Sequence, residues 1–287
     1  MAMSATGSAS SSLRGATTTF ASVPGMLYGT AWKKERTADL VDRALRLGFR
    51  GVDTACQPKH YNEKGVGEGV ARSGVARSEL FLQTKFTPIS GQDQSRLPYD
   101  KDAPLDEQVR QSLETSLANL GTTYLDSWVL HSPLKTIEKT MTVWREFESA
   151  VAAGKVRMLG ISNIYDLPML RALYEESTVK PKFVQNRFYR ESDYDKELRA
   201  FCRSHDITYQ SFWTLTANPN ILKSQTVREM ASKRGATPEQ IFFAFIRSQG
   251  AIFLTGTTSP EHMKQDLAVA GIELTAEEGA SVAALLD

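Results

Sequence analysis

Gly25-Met26-Leu27-Tyr28-Gly29 runs directly into Thr30-Ala31-Trp32-Lys33. The first five residues are a short, turn-flanked apolar segment of the kind that forms a buried strand. The next four decide between two architectures. An open, doubly wound sheet places a G-x-G-x-x-G phosphate loop after an early strand. Thr30-Ala31-Trp32-Lys33 contains no such loop, and a closed barrel needs none.

Seven more short segments, rich in β-branched or aromatic residues, lie at 50–54, 80–86, 125–131, 156–162, 183–186, 208–212 and 251–255. Helical patterns lie between them. At 37–47, Leu40, Val41, Ala44, Leu45 and Leu47 recur mostly on one side before Gly48. At 106–120, Val109, Leu113, Leu117 and Leu120 do the same before Gly121, and 138–153 stops at Gly154. Thr237-Pro238-Glu239 opens another helix with a capping residue and a proline in the first turn. Strands alternating with helices predict an α/β fold, a (β/α)8 TIM barrel closed by right-handed crossovers. The long irregular stretch 87–104 reads as a loop on the active-site side.

The 287 residues suit one barrel of about 250 residues. Residues 1–20 read as a flexible Ser/Ala/Thr-rich tail and 21–287 as a single barrel domain. A Ser-rich, acid-poor start is also the composition of a transit peptide, but Arg14 is the tail's one positive charge before residue 20. Lys plus Arg number 34 against 33 Asp plus Glu, so charge gives no support to a nucleic-acid or membrane-surface partner. No apolar run approaches the ~20 residues of a membrane helix. Cys56 and Cys202, far apart, make neither a disulfide framework nor a metal cluster, and the expected location is cytoplasmic.

Chemistry in a barrel gathers at the C-terminal ends of the strands. There the sequence places Asp53, Lys85, His131, Ser162-Asn163, Gln185, Phe212-Trp213 and Gly256-Thr257-Thr258. Apolar strands seldom finish in charge unless the group is paired or used. Each residue alone has an ordinary structural reading: a turn cap, a surface pair, a satisfied histidine. Together they suggest a buried Asp53–Lys85 pair beside Tyr61, with the ammonium expected to lower the phenol from its usual ~10. Such a tyrosine can give a proton to a carbonyl oxygen as hydride reaches the carbon.

At these residues the chain resembles the aldo-keto reductases. Val52-Asp53-Thr54-Ala55 with Tyr61-Asn62-Glu63 is similar to the family's D-T-A-x-x-Y-x-N-E motif. Glu79-Leu80-Phe81-Leu82-Gln83-Thr84-Lys85, the run from Ser112 to Asp126, Leu130-His131-Ser132-Pro133 and Gly160-Ile161-Ser162-Asn163 continue the likeness, which extends from about Gly29 to Leu267. The resemblance implies NAD(P)H-dependent reduction of aldehydes and ketones. It assigns Tyr61 as proton donor, Asp53 and Lys85 as a tuning pair, and His131 as carbonyl orienter. It places the nicotinamide carboxamide on Ser162, Asn163 and Gln185 and the ring on Phe212. The remaining cofactor contacts it implies are Gly29, Thr30, Ala31, Asp53, Trp213, Thr214, Thr257, Thr258, His262, Gln265 and Asp266. No metal is expected, and a monomer is the family default.

Three departures qualify it. Tyr61 comes eight residues after Asp53, so Cys56-Gln57-Pro58-Lys59-His60 must bulge to deliver it, and His60 reads first as a solvated loop histidine, with action on substrate as the alternative. Gly256 and His262 stand where many members carry the Lys and Arg that hold the 2′-phosphate of NADP. NADPH is therefore expected with NADH as an alternative, and Thr257, Thr258, Ser259 and a following helix N-terminus remain as phosphate donors. Phe212 replaces the usual stacking Tyr, and Trp213 either lines the substrate pocket or packs. The end at Asp287 predicts an open pocket accepting varied carbonyls. Two alternatives stay open: a nicotinamide-binding, redox-reporting partner protein with little turnover, and a phosphate-binding barrel isomerase.

Overall fold

The computed structural model describes residues 22–287; the tail expected at 1–20 lies outside the described residues. The strands are β1 (Met26–Gly29), β2 (Gly51–Asp53), β3 (Phe81–Phe86), β4 (Leu125–Leu130), β5 (Val156–Ser162), β6 (Phe183–Arg187), β7 (Thr208–Phe212) and β8 (Ile252–Thr255). They pair in parallel and in sequence order, and β8 closes on β1. The (β/α)8 TIM barrel read from the alternation is the fold.

Several boundaries differ from the sequence reading. β4 ends at Leu130, so His131 opens the following loop, its backbone N–H donating to Phe86 O at 2.9 Å. β6 runs one residue further than the apolar run, to Arg187. The helices expected at 106–120 and 138–153 are Leu105–Leu120 and Ile137–Ala152. The first of these ends on Gly121, whose φ of 63° is a left-handed conformation that glycine takes without a Cβ clash. Thr237 and Gln240 form the reciprocal capping box of helix Pro238–Ser248.

The outer core fills the space between strands and helices. Trp128 of β4 stacks on Phe147 of helix Ile137–Ala152 at 3.9 Å between ring centroids. The Trp144 indole satisfies its N–H on Val179 O at 3.0 Å, while the buried Trp128 Nε1 has no partner among the described residues. Inside the barrel, Leu27, Phe81, Phe183 and Ile252 plug the end where the strands begin. One layer up, the interior turns polar. Gln83 is registered against Asp53, and Gln210 against Gln185, all four buried. Side chains two residues apart on a strand share a face, so Lys85, Arg187 and Phe212 form the layer above these, at the barrel mouth.

Candidate active site

A cavity of about 990 Å³ opens at the C-terminal ends of the strands. Asp53, Tyr61 and His131 lie on one wall. Lys85 stands behind that wall, 1% exposed. Its ammonium reaches both Asp53 carboxylate oxygens at 2.7 Å and Thr54 O at 2.8 Å, which engages all its protons. Burial pushes the Lys85 pKa down while Asp53 opposes the fall. Gln83 adds a 2.7 Å bond to Asp53 Oδ1. With the Gln185 amide also donating to Oδ1, the carboxylate is compensated by one cation and two amides rather than left as a bare buried charge.

The longer loop does deliver Tyr61. Gln57 O accepts from His60 N and Tyr61 N at 3.1 and 3.0 Å, and the Gln57 side chain bonds Gly91 O and His60 Nδ1. Directly after Tyr61, Asn62 caps helix Glu63–Ser73 through Gly65 N at 2.9 Å. The Tyr61 ring centroid lies 5.4 Å from Lys85 Nζ and 6.0 Å from the His131 ring centroid. The expectation that the ammonium lowers this phenol is not met. Burial, and then the Asp53 charge, push the Tyr61 pKa above its ordinary value. Lys85 is already neutralised by Asp53, so desolvation wins.

His131 holds Thr87 Oγ1 at 2.6 Å through Nδ1. Burial, then the charges of Lys85 and His60, push its pKa down to about 3. Its imidazole is therefore neutral across the ordinary range of pH. His60, its ring tilted against Trp32 at 3.9 Å between centroids, forms the rim beside Tyr61.

Across the cavity, Asn163 and Gln185 have fixed amide orientations. Asn163 Nδ2 donates to His131 O at 2.8 Å and to Ser162 Oγ at 3.1 Å. Gln185 Nε2 donates to Asp53 Oδ1 at 3.0 Å and to Gln210 Oε1 at 2.8 Å. Carboxylates and backbone carbonyls only accept, so the NH₂ ends must face them. Asn163 Oδ1, Gln185 Oε1 and the Ser162 hydroxyl proton are left to offer two acceptors and one donor. That is the complement of a primary amide, and Phe212 of β7 supplies an aromatic face in the same cavity. These residues fit a nicotinamide carboxamide and its ring.

Gly29, Ala31, Trp213 and Thr214 line the cavity, and Thr257, His262, Gln265 and Asp266 line it on the β8 side. Two residues of the expected set do not. Thr30 is fully buried, with its hydroxyl on Asp53 O, and Thr258 is off the wall. Thr257 Oγ1 accepts from Ser259 N, and Ser259 caps helix Pro260–Ala268 through His262 N. Sequence reasoning misses Gln83, Gln210, Arg187, Trp32, Lys33 and Phe243. For Gln83, Gln210 and Arg187 the usable signal is the period of two, counted from Lys85, Phe212 and Gln185. Lys33, from the first loop, bonds Gly256 O with its ammonium. Among the described residues no His/Cys/Asp/Glu group could hold a metal, and no helix is long and apolar enough to cross a membrane.

The aldo/keto reductase family model matches residues 23–287. A methylglyoxal reductase of Escherichia coli O157:H7 is 30% identical over 270 residues, covering 92% of this chain and 93% of that protein. An NAD/NADP-dependent indole-3-acetaldehyde reductase of Schizosaccharomyces pombe is 31% identical over 261 residues, 85% of this chain and 84% of its own length. The crystal structure of an aldo/keto reductase from Brucella melitensis superposes with a TM-score of 0.79 at 27% identity, covering 92% of this chain and 95% of that one.

Proposed function

Since this chain belongs to the aldo-keto reductase family and is an NAD(P)H-dependent carbonyl oxidoreductase, we propose that it reduces aldehydes and ketones to alcohols with Tyr61 as the proton donor. One observation carries the reading. A protonated phenol, a neutral imidazole and a site complementary to a carboxamide share one cavity.

When bound, NADPH would supply the hydride for the carbonyl carbon. The chain's own groups do the rest. Ser162, Asn163 and Gln185 would hold the carboxamide and Phe212 would carry the ring, orienting it toward substrate. His131, its Nδ1 engaged by the Thr87 hydroxyl, turns Nε2 to the cavity to orient the carbonyl oxygen. Tyr61 passes its phenolic proton to that oxygen as negative charge develops there. The raised phenol pKa keeps the acid loaded, and the Lys85 ammonium, paired with Asp53, lies 5.4 Å from the Tyr61 ring centroid. Lys85 and Asp53 act through Tyr61 and not on substrate.

NADPH is the proposed cofactor, with NADH as the alternative. Gly256 and His262 offer no fixed charge of their own, but the Lys33 ammonium lies against Gly256. Thr257, Ser259 and the start of helix Pro260–Ala268 stand beside it. Substrates named for the relatives, methylglyoxal and indole-3-acetaldehyde, set the class to try first: small and aromatic aldehydes.

The test follows NADPH oxidation with an activated aromatic aldehyde in wild type and Tyr61→Phe. Loss of general-acid catalysis lowers kcat by about 10²–10⁴, while NADPH still quenches protein fluorescence in the variant. Equal activity in both removes Tyr61 from the role and turns attention to His60. Cofactor binding without turnover in either would replace the reductase with a redox-reporting protein.

A further inference from the structure

Arg187 ends β6, two residues beyond Gln185 and on the same inward face. Its guanidinium carbon lies 4.1 Å from the Trp213 ring centroid and 5.1 Å from that of Tyr189. These rings hold the fork in place from the side. Among the described residues no hydrogen bond or ion pair satisfies the guanidinium, and Nε is buried without a partner. That is an unusual state for a group with five N–H donors and a permanent charge. Arg187 lines the main cavity with Tyr61, His131 and Gln185. It also lines a second hollow of about 600 Å³, with Tyr189, Trp213 and Thr216. Exposed Glu191 borders that hollow and forms no ion pair with it. The acids of the main cavity do not answer it either. Asp53 is spent on Lys85, and Glu239 and Asp266 come from the helices flanking β8.

We propose that Arg187 is an anion-recognition residue of this pocket, pairing its guanidinium with a carboxylate or phosphate group of a bound reactant. A planar fork held between aromatic rings suits bidentate pairing with either. The carboxylate would belong to the carbonyl substrate and the phosphate to the nicotinamide side of the cofactor. The proposal rests on the reductase reading, because the main cavity holds both reactants in that reading. Net charge near zero across the chain leaves such recognition to a local cation.

Equilibrium binding tests this without turnover, using wild type, Arg187→Met and Arg187→Lys. Protein fluorescence reads the dissociation constants of NADPH, and of benzoate and benzamide added to the NADP⁺ complex. A substrate carboxylate predicts that wild type prefers benzoate and that Arg187→Met lowers the benzoate-over-benzamide preference about tenfold, the loss of one charge-assisted pair. A cofactor phosphate predicts instead a rise of about tenfold in the NADPH dissociation constant. In either case Arg187→Lys recovers part of the loss, since the charge is kept and the fork is not. The proposal is overturned if wild type shows no benzoate preference and neither variant shifts NADPH binding by more than about twofold. It is also overturned if Lys and Met lose equally, which would assign the effect to packing on Trp213. Turnover separates the two readings. If wild type reduces neither 4-carboxybenzaldehyde nor 4-nitrobenzaldehyde yet shows these binding differences, the reductase reading fails and the anion site stands.

Discussion

Asp266 shows what burial does to a single carboxyl group here. It is 5% exposed, accepts a 2.7 Å bond from Thr255 Oγ1, and has its pKa raised to about 6, chiefly by desolvation. A raised folded-state pKa means the folded protein holds the proton more tightly than the unfolded chain does. The stability from that proton is full below the unfolded value of ~3.9 and is lost as pH rises through about 6. Asp266→Asn keeps the acceptor for Thr255 and removes the titration. From pH 4.5 to 7 wild type should lose roughly 1–2 kcal/mol more than the variant in urea unfolding; parallel pH profiles would contradict the assignment. Other side chains at this scale explain which site residues the sequence discloses. Asp53, Lys85 and His131 are legible because charge at the end of an apolar strand demands a reason. Gln83 and Gln210 are not. A glutamine in a strand carries no local signal, and its importance comes from partners 30 and 127 positions away. The direction of the Tyr61 shift is hidden for a related reason. The Asp53–Lys85 pair is legible, but the burial of the phenol that dominates the shift is not.

Helix Glu63–Ser73 illustrates the same contrast between local and long-range information. Its three glycines lower helix propensity, so a reading by propensity expects Gly69→Ala to stabilise the protein by about 1 kcal/mol. Packing reverses that expectation. A Cβ at Gly69 would lie 2.6 Å from Ala38 O and 2.7 Å from Val41 Cβ, both on helix Thr37–Leu47. At Gly67 a Cβ would meet the backbone oxygen of Asn119 at the end of helix Leu105–Leu120. The helix is wedged between two neighbours at backbone distance. Gly69→Ala should therefore destabilise by roughly 1–3 kcal/mol, seen as a lower urea midpoint, and a higher midpoint would refute the close approach. β5 and β7 match their expected spans residue for residue, because alternation and flanking turns are local. β6 runs past its expected end at Asn186 because Arg187 continues the pairing with β7, registered against Phe212.

At the scale of the whole molecule, the exposed large apolar side chains among the described residues are few. Trp32 and Trp213 are exposed at the cavity, Tyr165 lies beside Arg187 with its hydroxyl accepting Arg187 N, and Val23 precedes β1. No apolar face elsewhere among them asks for a second copy. Sedimentation at micromolar concentration should give one chain of 31.8 kDa, and a dimer mass would show that the cavity rim is itself an interface. The ring of strands carries one more consequence. Because β8 bonds to β1, no barrel strand offers a free row of N–H and C=O groups along a sheet edge on which another chain could grow. Intermolecular β-sheet growth therefore has to wait for the ring to open, and solubility on heating should be governed by the rate of that opening rather than by any sticky margin of the native protein.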